Sequence, residues 1–258
     1  MARIHPTALV DPAARLGQDV EIGAFTVVGP HVEIGDGTRV GHHAVLTGHT
    51  RIGQGNRIFH FVSLGEEPQD KKYAGEPTRL EIGDHNVIRE FCTFNTGTVQ
   101  DEGVTRIGSH NWIMAYVHIA HDCVVGDQTI FANNASLAGH VHVGDYAILG
   151  GFTGVHQFCR VGAHVITGIA SVVRQDVPPY FTVAGSPAQP HGINAEGLKR
   201  RGFSPDAISA IKRAYKTLYK SGYSLAEALA MIAREAQAIP ELAPLAAFLA
   251  QPGRGIVR

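Results

Sequence analysis

Aliphatic residues recur along this chain every six positions. Ile4, Val10, Leu16, Ile22, Val28, Ile34, Val40, Leu46, Ile52, Ile58 and Leu64 form an unbroken series. A second series runs through Ile107, Ile113, Ile119, Val125, Phe131, Leu137, Val143, Leu149, Val155, Val161, Thr167 and Val173, apolar everywhere but Thr167. A period of six fits neither the 3.6 of a helix nor the simple alternation of a hairpin strand. It is the hexapeptide pattern of a parallel β-helix, with short strands that each turn two side chains inward. Four residues after each aliphatic the side chain is small or β-branched, as at Val20, Thr26, Val32, Thr38, Ala44 and Thr50. Glycine directly follows the aliphatic at 17, 23, 29, 35, 41, 53 and 65, where it reads as the residue that lets the chain bend. Three hexads close one coil of eighteen residues, and each coil buries its edge against the next, so stability comes from stacking neighbours.

The pattern is interrupted twice. Ile82, Ile88 and Phe94 form a separate piece, and thirteen residues separate Phe94 from Ile107, so the phase slips by one. The polar stretches near 65–81 and 95–106 therefore read as loops extruded from the coil. The hexads end near residue 190. From 191 to 258 helical signals replace them: Ser204 and Pro205 as N-cap and first turn, apolar positions at helical spacing up to Gly222, and a capping box of Ser224 and Glu227 opening a helix through about Ala238. A third helix is expected from Glu241 to about Ala250. The fold class that results is mainly β, a parallel β-helix over 1–190 with a small α-helical C-terminal domain over 191–258.

Composition narrows the function. Lys and Arg number 22 against 23 Asp and Glu, so no global field points to nucleic acid or a membrane surface. MARIHPTALV lacks the basic start and apolar core of a signal peptide, and no apolar run approaches the roughly 20 residues of a membrane span, which makes a cytoplasmic protein the expectation. Cys92, Cys123 and Cys159 form no CxxC pair and all fall on the small inward position, so they read as core filler.

Candidate chemistry lies in residues 114–127, MAYVHIAHDCVVGD. Residues eighteen apart in an unbroken coil stand one above another, which puts His121, Gly139 and Gln157 in one column and Asp122, His140 and Phe158 in the next. His121 follows the inward Ile119 by two and so faces outward near a corner. An outward imidazole beside a carboxylate suits a general base, and a glycine in the adjacent layer leaves a backbone N–H accessible for an oxyanion. Adjacent strand residues point to opposite sides, so proximity of Asp122 is expected while a direct bond to His121 is left open. Zinc is a competing reading, because His118, His121, His140, His142, His156 and His164 crowd a few coils. His142 and His164 read as bystanders.

The loop QDKKYAGEPTR, the segments HIAHDCVVG, NNASLAGHVHVGD and GGFTGVHQFCRVGAH, and the junction NAEGLKRRGFS together resemble, over essentially the whole chain, the acyl carrier protein–dependent UDP-N-acetylglucosamine O-acyltransferases of lipid A synthesis. The resemblance implies a left-handed coil, a homotrimer with sites between subunits, and transfer of a 3-hydroxyacyl chain to the glucosamine 3-hydroxyl. It implies no cofactor or metal, the acyl group arriving on the phosphopantetheine of acyl carrier protein. It makes His121 the base, Asp122 its orienting partner and Gly139 the oxyanion donor. It places Asp70, Lys72, His118, His140, Gln157, Asn194, Glu196 and Arg200 against the nucleotide sugar, Lys199 and Arg201 in a carrier-protein patch, and Ile169 at the far end of the acyl pocket. Departures are Asn95-Thr96 in place of a His-Arg pair, and Ser186-Pro187 in place of an Asn-His pair. Three rivals stay open: a related coenzyme A–dependent sugar acyltransferase, a zinc-dependent hydratase on the same coil, and a purely structural or binding solenoid, which the column of His121, Gly139 and Gln157 disfavours.

Overall fold

The computed structural model describes residues 1–251 and 253–258. Strands of mostly two residues stack into three parallel sheets that form the faces of a prism, a left-handed parallel β-helix. Register follows the eighteen-residue coil: Arg3 pairs with Glu21, Leu9 with Val27 and Arg15 with Glu33. The inward aliphatic column is buried, as at Ile22, Val28 and Ile34, and so is the position four residues on, as at Thr26 and Val32. Each such aliphatic contributes about 1.5–3 kcal/mol of burial. Cys92, Cys123 and Cys159 are free and fully buried on the second inward column.

The two loops leave and return at one edge. The first departs after Ser63–Glu66 and returns at Arg79–Ile82, so Ile52 pairs with Ile82, thirty positions on rather than eighteen. The second departs after Thr93–Asn95 and returns at Val104–Ile107, pairing Ile82 with Ile107 twenty-five positions on, which is the phase slip. Buried Asn95 donates through Nδ2 to the Glu67 carbonyl at 2.8 Å and so ties the second loop to the first.

The glycines do not carry the bend, which corrects the sequence reading. Most corners turn through a residue of left-handed conformation three after the aliphatic, and most of these residues carry a side chain: Phe25 (φ 56°), His43 (56°), Asp122 (58°), His140 (61°) and Phe158 (63°). Most of the glycines that directly follow the aliphatics, Gly29 and Gly65 excepted, answer a different demand. A Cβ on Gly23 would stand 2.6 Å from the Gly41 carbonyl carbon, and one on Gly41 would stand 2.7 Å from the His60 nitrogen, so the close stacking of coils excludes it.

Beyond the coil, Phe181–Ala184 pairs antiparallel with Gln189–Ile193, and four helices follow: α1 (Ala195–Arg200), α2 (Pro205–Tyr219), α3 (Leu225–Glu235) and α4 (Ala243–Ala250). Ser204 caps α2, and the Ser224–Glu227 capping box opens α3, which stops at Glu235 rather than near Ala238. The third expected helix is a 3-10 turn, Pro240–Leu242, running into α4, and α1 was not foreseen. The helices share a second core with Tyr180 and Phe181 of the last coil.

Candidate active site

His121 and Asp122 form the corner between the strands His118–Ile119 and Val124–Val125, on the same edge from which both loops emerge. The corner decides their relation. Because Asp122 takes left-handed backbone geometry, the alternation of an extended strand does not hold here, and the two side chains turn the same way. His121 Nδ1 lies 2.9 Å from Asp122 Oδ2, a direct bond that the sequence left open. An ionised carboxylate only accepts, so the proton sits on Nδ1 and Nε2 of His121 is left with its lone pair.

The Asp122 carboxylate is almost wholly enclosed. The second loop supplies its partners: Thr98 donates its N–H to Oδ1 at 2.8 Å and its hydroxyl to Oδ2 at 2.6 Å. The Asp122 N–H in turn donates to Thr105 Oγ1 at 2.8 Å. Burial by itself would raise this carboxyl, but the bonds from His121 and Thr98 outweigh it and hold it below the usual aspartate range.

Gly139 stands directly against the His121 ring. A Cβ there would come within 2.4 Å of Cε1 and 2.6 Å of Nε2, so the ring occupies the space a side chain would take. The Gly139 N–H has no acceptor among the described residues, but neither do those of Ala115, Asn133 and Gly151 at other corners. The imidazole filling the space of the missing Cβ, rather than a free amide, singles this corner out, since nothing comes that close at Gly151. His140 stands edge-on to His121, centroids 5.0 Å apart at 89°, and lies flat on Phe158 at 4.3 Å. His118 projects from the strand that leads into this corner, its Nδ1 2.7 Å from Thr93 Oγ1 of the neighbouring coil, and burial lowers its pKa.

His121, Asp122 and His140 offer three donor atoms within 4.8 Å of one another, close enough to share an ion. Nε2 of each histidine is open among the described residues, but the Asp122 carboxylate and the other ring nitrogens are already engaged. Asp122 accepts from Thr98 and His121, and His140 Nδ1 donates to Asp101 at 2.8 Å, so a metal would displace bonds that the loop is built to make.

The remaining expected residues distribute unevenly. Gln157 is exposed and sits over Gly139, whose carbonyl accepts the Phe158 N–H at 3.1 Å. In the first loop the Asp70 carboxylate caps the Lys72 N–H at 3.0 Å, with the Lys72 side chain exposed. Asn194 is buried and committed within the chain: Oδ1 caps α1 at Gly197, and Nδ2 donates to the His164 carbonyl at 2.9 Å. Glu196, Lys199 and Arg200 are exposed on α1. Arg201 turns inward over the Tyr146 ring at 4.9 Å, and burial lowers its pKa, so it stands apart from the exposed lysines. Ile169 is 76% exposed at a different edge of the prism. His164 stacks between Tyr146 and Tyr180, and burial drives its pKa to about 4, a packing role. Sequence reasoning missed Thr98, Thr105, Thr93 and Asp101. The available signal was that the second loop leaves the coil after Phe94, in the column of Ile119.

The description "Udp N-acetylglucosamine O-acyltransferase; Domain 2" belongs to the family model matching residues 176–257, and a bacterial transferase hexapeptide model matches 13–48 and 105–139. An acyl-[acyl-carrier-protein]–UDP-N-acetylglucosamine O-acyltransferase of Thiobacillus denitrificans is 75% identical over all of both chains. Among solved structures, LpxA from Acinetobacter baumannii matches with a TM-score of 0.96 and 50% identity over 99% of each chain. The Francisella novicida UDP-N-acetylglucosamine acyltransferase matches with a TM-score of 0.97 and 43% identity, over 99% of this chain and 94% of that one.

Proposed function

The chain belongs to the acyl-[acyl-carrier-protein]–UDP-N-acetylglucosamine O-acyltransferase family, and from that premise we propose that His121 is the general base of acyl transfer to UDP-N-acetylglucosamine in lipid A biosynthesis. Nε2 of His121 takes the proton of the sugar 3-hydroxyl as its oxygen attacks the thioester carbonyl. The new C–O bond forms, the carbonyl electrons move to oxygen, and the Gly139 N–H holds that oxyanion. Collapse expels the phosphopantetheine sulfur, which recovers the proton from His121. Asp122 keeps the imidazole in the Nδ1–H form and balances its charge while it carries the proton. The observation that carries this reading is the His121 ring seated where a Gly139 side chain would be, with its far nitrogen bound to an enclosed carboxylate.

The donor is acyl carrier protein carrying a 3-hydroxyacyl chain, drawn toward exposed Lys199 and Arg200 and the neighbouring Lys212, Lys216 and Lys220. His118, His140, Gln157 and the Asp70–Lys72 loop contact the nucleotide sugar, and Ile169 bounds the acyl chain. The active unit is a homotrimer with sites between subunits, working in the cytoplasm. Exposed Leu9, Val27 and Val45 on one face and Phe25, Phe61, Phe91, Tyr116 and Phe152 along one edge supply the apolar surface such an assembly covers.

The test is incubation with UDP-N-acetylglucosamine and a series of acyl carrier protein or coenzyme A thioesters, followed by mass analysis of the product. Transfer from carrier-protein thioesters, undiminished by a chelator, is expected. Equal transfer from coenzyme A, or loss of activity together with stoichiometric zinc, would overturn the reading.

A further inference from the structure

The second loop reaches the site twice. Thr98 secures Asp122, and three residues on, Asp101 secures His140. The loop itself aims the Asp101 carboxylate: Oδ1 accepts the Glu102 N–H at 3.0 Å, which leaves Oδ2 to meet His140 Nδ1 at 2.8 Å. Neighbouring Glu102 pairs with Arg106 and is not free to substitute. His140 is therefore held by a charge-assisted bond at one nitrogen and by Phe158 against its face. Its other nitrogen, Nε2, is 3.8 Å from Asp122 Oδ2, beyond hydrogen-bond reach, and has no partner among the described residues.

The result is a second Asp–His pair beside the first. Free neutral imidazole can carry its proton on either nitrogen, and the bond to an acceptor-only carboxylate selects Nδ1–H, leaving Nε2 as an acceptor. His121 and His140, in perpendicular planes with centroids 5.0 Å apart, thus present two Nε2 lone pairs side by side. We propose that Asp101 is a positioning residue: its carboxylate fixes the tautomer and orientation of His140, so that Nε2 of His140 accepts a hydrogen bond from a donor group of the amino sugar adjacent to the hydroxyl being acylated. An N–H or O–H vicinal to the reacting hydroxyl fits this two-acceptor arrangement, and a sugar lacking a donor there leaves one acceptor unpaired. The inference rests on the reading of His121 as base and adds the group that aligns the substrate against it.

The experiment uses the full-length enzyme with Asp101→Ala and Asp101→Asn, measuring kcat and KM for UDP-N-acetylglucosamine and the imidazole ¹⁵N spectrum of His140. Wild type shows the Nδ1–H tautomer at His140. In Asp101→Ala the ring reverts to a mixture dominated by Nε2–H, and KM rises roughly 3- to 10-fold, the range of one hydrogen bond, with a smaller change in kcat. Asp101→Asn, whose amide oxygen still accepts from Nδ1–H, restores both the spectrum and most of KM. An unchanged His140 spectrum in Asp101→Ala, an unchanged KM, or an Asn variant no better than Ala overturns the proposal. Assaying His121→Ala alongside separates the two readings. If it stays active, the site assignment itself has failed; if it is inactive while Asp101→Ala behaves as wild type, only the role of Asp101 has.

Discussion

Two edges of the same prism have the same backbone and opposite uses. Along one, the left-handed corner position carries Phe25, His43, Phe61, Phe91 and Tyr116, which stack in turn, Phe61 on Phe91 at 5.4 Å and Phe91 on Tyr116 at 4.8 Å. Along the other, the equivalent position carries Asp122, His140 and Phe158. Left-handed geometry is disfavoured for any residue with a Cβ, by roughly 1–2 kcal/mol in helical conformations. The aromatic edge offsets it with ring stacking, and the other edge with hydrogen bonds at Asp122 and His140 and the stacking of Phe158 on His140. What separates them is the loops: both emerge at the second edge, and the second loop covers Asp122 and grips His140, whereas neither loop reaches the aromatic edge. The coil thus supplies a rigid set of positions, and an insertion turns one of its edges into a site.

The comparison breaks most sharply at His121. Replacing it with Ala should lower the transfer rate by about 10² to 10⁴ while the coil stays folded, with no more than the small fall in thermal midpoint that losing the bond to Asp122 brings. Loss of the fold, or retention of full activity, would place the residue on the structural side.

Glycine separates the two edges next. Gly139→Ala must push the His121 ring aside, and a displacement near 1 Å costs about 10² in rate with the coil intact. Gly23→Ala, whose Cβ would meet the backbone of the next coil, should do the reverse: a clear fall in melting temperature, by a few degrees for each kcal/mol of strain, with kcat preserved in the protein that remains folded. Identical behaviour of the two variants would dissolve the distinction.

Acid sharpens the role of the loop. The Asp122 carboxyl is held below its ordinary value in the folded chain, so the stability it contributes is complete above the unfolded aspartate pKa, near 4, and is lost as pH falls below that through the lower folded value. Denaturant titrations at neutral pH and near pH 3 should show wild type losing more stability than Asp122→Asn over that window. Parallel losses would mean the carboxylate is not held by Thr98 and His121 as described.

The cysteines should show the smallest effect. Burial pushes Cys92 and Cys123 up to about 12 and Cys159 to about 11, so native protein should resist thiol reagents with activity unchanged, and all three should react once it is denatured. Rapid labelling of the native protein would show that the inward column opens.

Much of this was legible in the chain. The six-residue period gave the coil, its inward columns and the two extrusions, because each coil must meet the next at a fixed register and a misplaced aliphatic would face water. The column of His121, Gly139 and Gln157 followed from the same arithmetic. The Asp122–His121 bond did not, because strand alternation is a rule for extended backbone and the pair sits in a left-handed corner. Nor did the function of glycine, which the sequence suggests is conformational and which the stacking of coils makes steric.

Periodicity is a local demand repeated along the chain, so the amino-acid sequence alone determined the architecture and the layer in which each histidine lies. Where Thr98 and Asp101 come to rest depends on how two aperiodic segments fold back over an edge they leave and rejoin, and no repeat encodes that. Only the tertiary structure decided that His121 and His140 each have a carboxylate behind one nitrogen and an open lone pair at the other, because a left-handed corner turns Asp122 onto its neighbour His121 and the second loop carries Asp101 across the coil to His140.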